Sequence, residues 1–517
     1  MANNDAEYKQ MSRLLSSGKT TLDNDKISDA LREAGIMKLA QINELLLISD
    51  PSDIRKEYST VIEDLGKVRD LSGDIINGFS SLNTIAIDLH GRNLTLLETE
   101  IYSNGSNNYV KEEELLKQTK PLSEQASAEE QARYKEVTNL VSNDSYINAN
   151  KILQQQLKKL SVDLKANSTS STPKVLTHIL DREYDSIKVF NFINNELNDN
   201  FVVRMKISRI TEAGTKLLPG KECSLFHVTP EELQKITLHA NINYTIINNN
   251  ICYDNIASRR NLISKIFYCD GDIEEFLKTK NYKNNNKLTN TLSDIKNPGV
   301  VLQDNSDLHA WYRENTEKEV RVKLADAEFP FSAEYNYPKI MIKNKVYQNA
   351  KVIVSWGNKI DNYQIIKIQI KNKDGDNIFK QPMLLVTNKT ISTQEQTLNI
   401  YHIYLKRAKI ESVFKFLKDV LGWEQCQLRQ FDAIKNLLTF CYFVAGYFYE
   451  IESSLTQIST IQWIAFLGGG KGKVTRKFIL EGFAVLAIKK LADDFIEENH
   501  ITQDELNEMY AYAGVII

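Results

Sequence analysis

"YLKRAKIESVFKFLK", residues 404–418, sets a tyrosine, an arginine, a glutamate and a lysine along one short stretch. Read as one helix advancing about 100° per residue, it holds Tyr404, Arg407, Glu411 and Lys418 within an arc of about 60°. A solvated helix face gains nothing from aligning these four types so narrowly. One acid flanked by cationic and hydroxyl donors suits a metal ion beside a phosphate. Carboxylate oxygens favour hard divalent cations, and guanidinium and ammonium groups favour phosphate oxygens. A plainer reading stands beside it: Arg407 and Glu411, at i and i+4, form an ordinary surface ion pair.

Working outward, two apolar runs end in an acid. "LLLISD" (45–50) reads as a buried strand ending in Asp50, and "VLTHILD" (175–181) as another ending in Asp181. Between them, "LNTIAID" (82–88) and "NLTLLETEIY" (93–102) predict two strands joined through "LHGR", followed by a long helix over about 128–165. A helix over about 183–196 and the strand "FVVRMK" (201–206) come next. Strand with acid, two strands, helix, strand with acid, then a helix bearing Glu411 is the order of a ribonuclease-H-like α/β core. Asp88 competes with Asp50 for the first acid. Asp50 is preferred, because Asp88 would leave the core one strand short. Each acid also has a local reading: Asp181 as the N-cap of the next helix, and Asp50, before Pro51 and Ser52, as a turn residue.

The remainder is less specific. Residues 27–45 have helical periodicity. From about 207 to 380, alternating runs such as "KVIVSW" (351–356) and "YQIIKIQI" (363–370) predict a mostly β insert. "MLLVTN" (383–388) is a further buried strand, and from about 394 the pattern is helical. The Asn- and Lys-rich 278–291 reads as a polar loop. Hydrophobic content of 42% and charged content of 25% over 517 residues suit a soluble globular chain. Five cysteines without a CxxC pair imply a reducing, cytoplasmic setting and no structural zinc. The run at 437–451 is too short to span a bilayer. Net charge is −3, but "GGGKGKVTRK" (468–477) is basic, and a local basic surface binds phosphate whatever the total. It lacks the frame of a nucleotide P-loop. His178 and His402, in apolar surroundings, read as core groups.

The spacing Tyr404-x2-Arg407-x3-Glu411-x6-Lys418 resembles the Y-R-E-K signature of bacterial DDE transposases of the insertion-sequence-four family. "LGKVRDLSG" (65–73), "DREYD" (181–185), "FVVR" (201–204), "LLVTN" (384–388) and "IQWIAFLGGG" (461–470) resemble further blocks of that family, in its order. The resemblance implies a ribonuclease-H-like core interrupted by a mostly β insert, with a helical C-terminal region. The expected divisions are a short helical N-terminal region over 1–40, read as a truncated DNA-binding domain, and the core in two parts, 41–206 and 383–452. Between these parts lies a β-rich insertion over 207–382, and a helical dimerisation region follows over 453–517. It also implies cut-and-paste DNA transposition: nicking of transposon ends, hairpin formation and joining to target DNA. Asp50, Asp181 and Glu411 would be the catalytic carboxylates, holding two Mg²⁺ or Mn²⁺ ions. Arg204, Tyr404, Arg407 and Lys418 would hold DNA phosphates. The implied partners are double-stranded DNA and a second copy of the chain, in a bacterial cytoplasm at the nucleoid and with no membrane. The family commonly has a tryptophan before "LLVTN"; here the residue is Met383, a poorer stacking surface for a displaced base. A truncated, weakly catalytic copy that binds DNA or dimerises as an inhibitor is the alternative.

Overall fold

Residues Leu45 to Ile48 are fully buried although their side chains alternate between two faces, because both faces of this strand are covered. That is why the strand reads as an unbroken apolar run. It is β1 (Glu44–Arg55), an inner strand of a ten-stranded mixed sheet. In the computed structural model the residues described are 24–70, 72–118, 127–168, 173–207, 327–342, 345–454 and 458–498. Short pieces at 15, 209–215, 244–247, 250–253, 301–302, 321–325, 500, 502 and 505 complete them. The segment 278–291, most of the first 23 residues and all of the last 12 of the expected C-terminal region lie outside them.

The other strands of the sheet are β2 (Gly66–Arg69), β3 (Ile75–Asp88), β4 (Thr95–Tyr102), β5 (Val175–Leu180), β6 (Asn200–Arg204), β7 (Phe331–Ile342), β8 (Lys345–Ile360), β9 (Tyr363–Lys371) and β10 (Met383–Thr387). Their order is β7-β8-β9-β10-β6-β5-β1-β3-β2, with β4 also on β3. β1 runs antiparallel to β3 and β3 to β4, whereas β5 lies parallel to both β1 and β6. The mixed α/β sheet is compatible with the ribonuclease-H-like expectation.

The helices are α1 (Asn24–Leu39), α2 (Glu112–Lys117), α3 (Ala128–Ser142), α4 (Ala149–Ala166), α5 (Ile187–Asn191), α6 (Gln394–Leu405), α7 (Ala408–Lys415), α8 (Phe431–Ser454), α9 (Ser459–Leu467) and α10 (Arg476–Glu498). On one face of the sheet, Leu45 and Leu47 pack with Leu160 and Leu164 of α4 and Leu39 of α1. On the other, Leu46 and Ile48 join a larger core with Tyr401, Ile410, Trp423 and Tyr442. Strand alternation therefore puts Asp50 on the side of the late helices. The apolar run 437–451 lies within α8, and no described helix is long and apolar enough to cross a membrane.

Three elements differ from the sequence reading. The helix expected over 128–165 is two, because Asp144 takes a left-handed φ of 52° and Asn148 caps a new start by accepting from Lys151 N. The helix expected over 183–196 is broken into a 3₁₀ turn at Arg182–Tyr184, α5, and a π turn at Phe192–Glu196. Strands β7 to β9, expected within the insertion, extend the main sheet through pairing of β9 with β10. Alternation reveals a half-buried strand but not the sheet it joins. The compact units are residues 1–206 with 329–517, and 207–328. Within the second, Ile210–Thr215 pairs with Arg321–Lys323, and Tyr244–Ile247, Asn250–Tyr253 and Val301–Leu302 form a three-stranded sheet.

Candidate active site

β1 and β5 are parallel, with Ser49 opposite Leu180 as their last paired residues. Asp50 and Asp181 are therefore the next residues on adjacent strands, at the end where ligands gather in open α/β sheets. Pro51 follows Asp50 and has no N–H to continue the ladder toward β5, while β1 remains paired with β3 as far as Arg55. Asp50 is thus a residue within a strand, not a turn residue. Asp181 precedes the 3₁₀ turn, but its side chain makes no capping hydrogen bond there. Both carboxylates are left available for another partner.

That partner is Arg407. Its Nη2 lies 2.8 Å from each carboxylate oxygen of Asp50 and 3.4 Å from Asp181 Oδ2, and its Nη1 lies 3.1 Å from Glu411 Oε1. One guanidinium therefore collects three acids from distant parts of the chain. Tyr404 donates its hydroxyl to Asp181 Oδ1 at 3.2 Å. Accessibility rises from Asp50 (7% of the side chain) through Asp181 (19%) to Glu411 (61%), so the cluster opens to solvent on the Glu411 side.

The expected single helix is interrupted here. Between α6 and α7, the amides of Lys406, Arg407, Lys409 and Ile410 each donate three residues back, the tighter 3₁₀ pattern. Thr393 and Gln396 form the capping box that starts α6. A further π turn at Phe416–Val420 follows α7. Lys418 lies in that turn, where its Nζ reaches Asp53 O at 2.6 Å and Glu424 Oε1 at 3.2 Å. It is tied to β1, and its contacts differ from those of Tyr404, Arg407 and Glu411. Arg204 ends β6 opposite Leu385, close enough that its charge acts on the Tyr404 hydroxyl.

Charge is unbalanced. Burial pushes Asp50 up to about 7 against the pull of Arg407, and Asp181 and Glu183 add to the rise. Burial opposes the Arg407 charge, but Asp50 and Asp181 more than restore it and hold the guanidinium protonated. Burial, then Asp181, raises the Tyr404 phenol. Glu183 is a fourth acid that the spacing argument passed over. Its residue is exposed, yet desolvation and then the nearby Asp181 and Asp53 raise its carboxyl. The acid two places after Asp181 in "DREYD" was the available signal.

Among the described residues no three His, Cys, Asp or Glu side chains stand close enough to hold a metal ion as they are. Around Asp50, Asp181 and Glu411, Arg407 lies between the acids. The donor set nevertheless fits a hard divalent cation: carboxylate oxygens, a surplus of negative charge, and one organic cation already drawn to them.

The rejected alternative, Asp88, is elsewhere. It pairs with Leu45, five residues from Asp50 and so about 17 Å away along the strand. Its carboxylate accepts from the amides of His90 and Arg92 and from the side chains of Arg92 and Asn93, so it builds a turn. His178 is wholly buried against Asp199, but His402, expected in the core, is exposed on α6 and meets the Tyr337 hydroxyl at 3.3 Å. Met383 is half-buried against the larger core, filling space beside β9.

Residues 137–445 match the family described as the transposase DDE domain. The match contains Asp181, Arg204, Tyr404, Arg407, Glu411 and Lys418, while Asp50 precedes it. No curated protein matches the chain.

Proposed function

The chain belongs to the transposase DDE domain family, and from that premise we propose that Asp50, Asp181 and Glu411 are its catalytic carboxylates and that it performs cut-and-paste DNA transposition. Enzymes of this family bind, cleave and join DNA. The finer sequence proposed here is nicking of a transposon end, attack of the freed 3′-hydroxyl on the opposite strand to form a hairpin, and joining of the reopened end to target DNA. The observation that carries the reading is the convergence of three carboxylates, from β1, the end of β5 and α7, on the Arg407 guanidinium.

Asp50, Asp181 and Glu411 would hold two Mg²⁺ or Mn²⁺ ions, which would activate the attacking water or 3′-hydroxyl and stabilise the leaving oxygen. Arg407 would exchange its carboxylate partners for a DNA phosphate, which its planar fork also matches. Arg204 and Tyr404 would hold the phosphate from the β6 and α6 sides. Lys418 would reach DNA by leaving Glu424; in its present contact it fixes β1 through Asp53. A second copy of the chain would cover the exposed Trp463 and Phe466 of α9 and Ile488 and Leu491 of α10.

The test is Mn²⁺- or Mg²⁺-dependent cutting of a pre-nicked terminal repeat from the gene's own flanks, with the native chain and with Glu411→Gln. Cutting by the native chain and binding without cutting by Glu411→Gln would support the reading. Equal cutting by both would exclude Glu411 from the chemistry. Sedimentation of the protein–DNA complex at twice the protomer's protein mass would support pairing.

A further inference from the structure

Resting on the assignment of Glu411 above, we propose that Tyr449 of α8 is a positioning residue for that carboxylate, and that the Arg476 guanidinium at the start of α10 holds Tyr449 in place. α7 has eight residues, with the 3₁₀ junction before it and the π turn after it. A helix so short is set by what it packs against. Ile410 and Val413 bury one face of it in the larger core, but apolar contact is non-directional. A directional contact comes from Ser412, the residue after Glu411.

The Ser412 hydroxyl donates to Lys409 O at 2.7 Å. With that proton used, the 3.1 Å contact with Tyr449 is the phenol donating to Ser412 Oγ. The bond ties α8 to α7 one residue beyond Glu411, which lies in the first turn of α7. In the free protein Arg407 also anchors the Glu411 carboxylate, at 3.1 Å. Once Arg407 had given up its acids and turned to a phosphate, that anchor would be gone, and the seat of α7 would place the carboxylate. Reacting groups need placement to within about 0.5 Å.

Tyr449 is itself held. It is buried, and Arg476 Cζ lies 3.7 Å from the centre of its ring and 5.5 Å from that of Phe416. Phe416 meets the Tyr449 ring edge-on. Arg476 Nε lies 3.1 Å from Glu452 Oε2, three residues further along α8. The Arg476 Nη1 is buried with no hydrogen-bond partner among the described residues. Hydrogen bonds therefore match only part of this guanidinium, and the ring face holds the rest. Fastening α10 to α8 would need only that ring. The hydroxyl reaching Ser412 carries the contact on to α7, so the seating of α10 bears on Glu411 through two contacts.

The experiment compares the native chain with Tyr449→Phe, Arg476→Ala and Glu411→Gln, each full length. Calorimetry reads Mn²⁺ binding without DNA, and cutting of a pre-nicked end gives kcat and the KM for DNA. Tyr449→Phe keeps the ring and its stack and loses only the hydroxyl. It is expected to melt close to the native chain, to bind Mn²⁺ about tenfold more weakly, and to cut with a kcat lower by about tenfold at an unchanged KM, as for a displacement of catalytic groups by less than about 1 Å. Arg476→Ala should show the same two losses. If Tyr449→Phe melts much lower, Ser412→Ala, at an exposed position of α7, carries the same expectation. Native Mn²⁺ binding and kcat in the folded Tyr449→Phe or Ser412→Ala chain would overturn the positioning role. Native values in Arg476→Ala would overturn the part given to α10. Glu411→Gln separates the two levels: if it binds Mn²⁺ as tightly as the native chain does, the assignment of Glu411 itself falls, whereas loss of Mn²⁺ in Glu411→Gln with native behaviour in Tyr449→Phe would overturn the positioning role alone.

Discussion

Arg407 Nη2 donates to both carboxylate oxygens of Asp50 at 2.8 Å, across 357 positions of sequence. The guanidinium fastens α7 to the sheet and separates acids that would otherwise repel one another. Removing it would leave Asp50, only 7% exposed, without its cation. Breaking a buried pair in this way costs about 3–5 kcal/mol. Arg407→Ala is therefore expected to melt well below the native chain without divalent ions. Millimolar Mn²⁺, binding the folded state alone, should recover part of that loss. The check is thermal melting with and without Mn²⁺; a variant that Mn²⁺ stabilises no more than it does the native chain would argue against a cation among these acids.

The acids themselves give a four-way comparison. Asp50→Asn, Asp181→Asn and Glu411→Gln should each abolish metal-dependent cleavage while retaining DNA binding. Asp88→Asn should still cleave, since Asp88 serves the 88–93 turn. Its expected cost is stability, about 1 kcal/mol, as for other side chains that cap backbone amides. Gel assays of a pre-nicked end and urea melts separate the two effects. Cleavage by Asp50→Asn with none by Asp88→Asn would reverse the assignment.

Much of this site was legible because strand ends are legible. Asp50 and Asp181 each follow a run whose burial on both faces leaves a continuous apolar signal, and parallel pairing then sets them side by side. The α6–α7 stretch was legible in its residue types and not in its shape. A helical projection assumes one pitch throughout, and the 3₁₀ turn at 406–410 changes it. The projection also grouped Lys418 with residues whose contacts it does not share. Its partner Glu424 lies beyond the quoted stretch, and its contact with Asp53 depends on tertiary packing. β7 to β9 show the same limit: alternation in 351–356 and 363–370 is local, whereas membership of the main sheet depends on the distant β6 and β10.

Phosphate handling separates the basic residues. Arg204 ends a sheet strand beside Tyr404, and Arg204→Ala should lower the slope of log affinity against log salt by about one unit. Lys418→Ala should lower that slope as well and, unlike Arg204→Ala, lower the stability of the free protein, because its ammonium there is engaged with Asp53 and Glu424. Binding of cleaved ends at several salt concentrations gives both slopes. An unchanged slope in Lys418→Ala would show that the lysine stays with Glu424 when DNA binds.

Asp199 carries a pH prediction independent of the acids around Arg407. It precedes β6 and joins α4 to β5: His178 Nε2 lies 2.9 Å from Oδ2, the Ser161 hydroxyl donates to Oδ2 at 2.7 Å, and Lys165 Nζ lies 2.6 Å from Oδ1. Burial alone would raise the carboxyl, but the hydrogen bond and charge of His178, with Lys165 and Ser161, hold it below its ordinary 3.8. A carboxyl lowered on folding stabilises the folded state above its unfolded value, and that contribution is lost as pH falls through the folded one. Asp199→Asn keeps the shape and discards the charge. Because it breaks a buried charge network, it should cost about 3 kcal/mol or more at pH 7. Below about pH 4 the difference from the native chain should shrink, as the unfolded carboxylate and then the native one take up a proton and the advantage is lost. Urea unfolding of both chains at pH 7, 5 and 3.5 reads the difference directly. A gap that stays constant to pH 3.5 would mean that Asp199 contributes through shape and neutral hydrogen bonds, and that its charge does not hold α4 to the sheet.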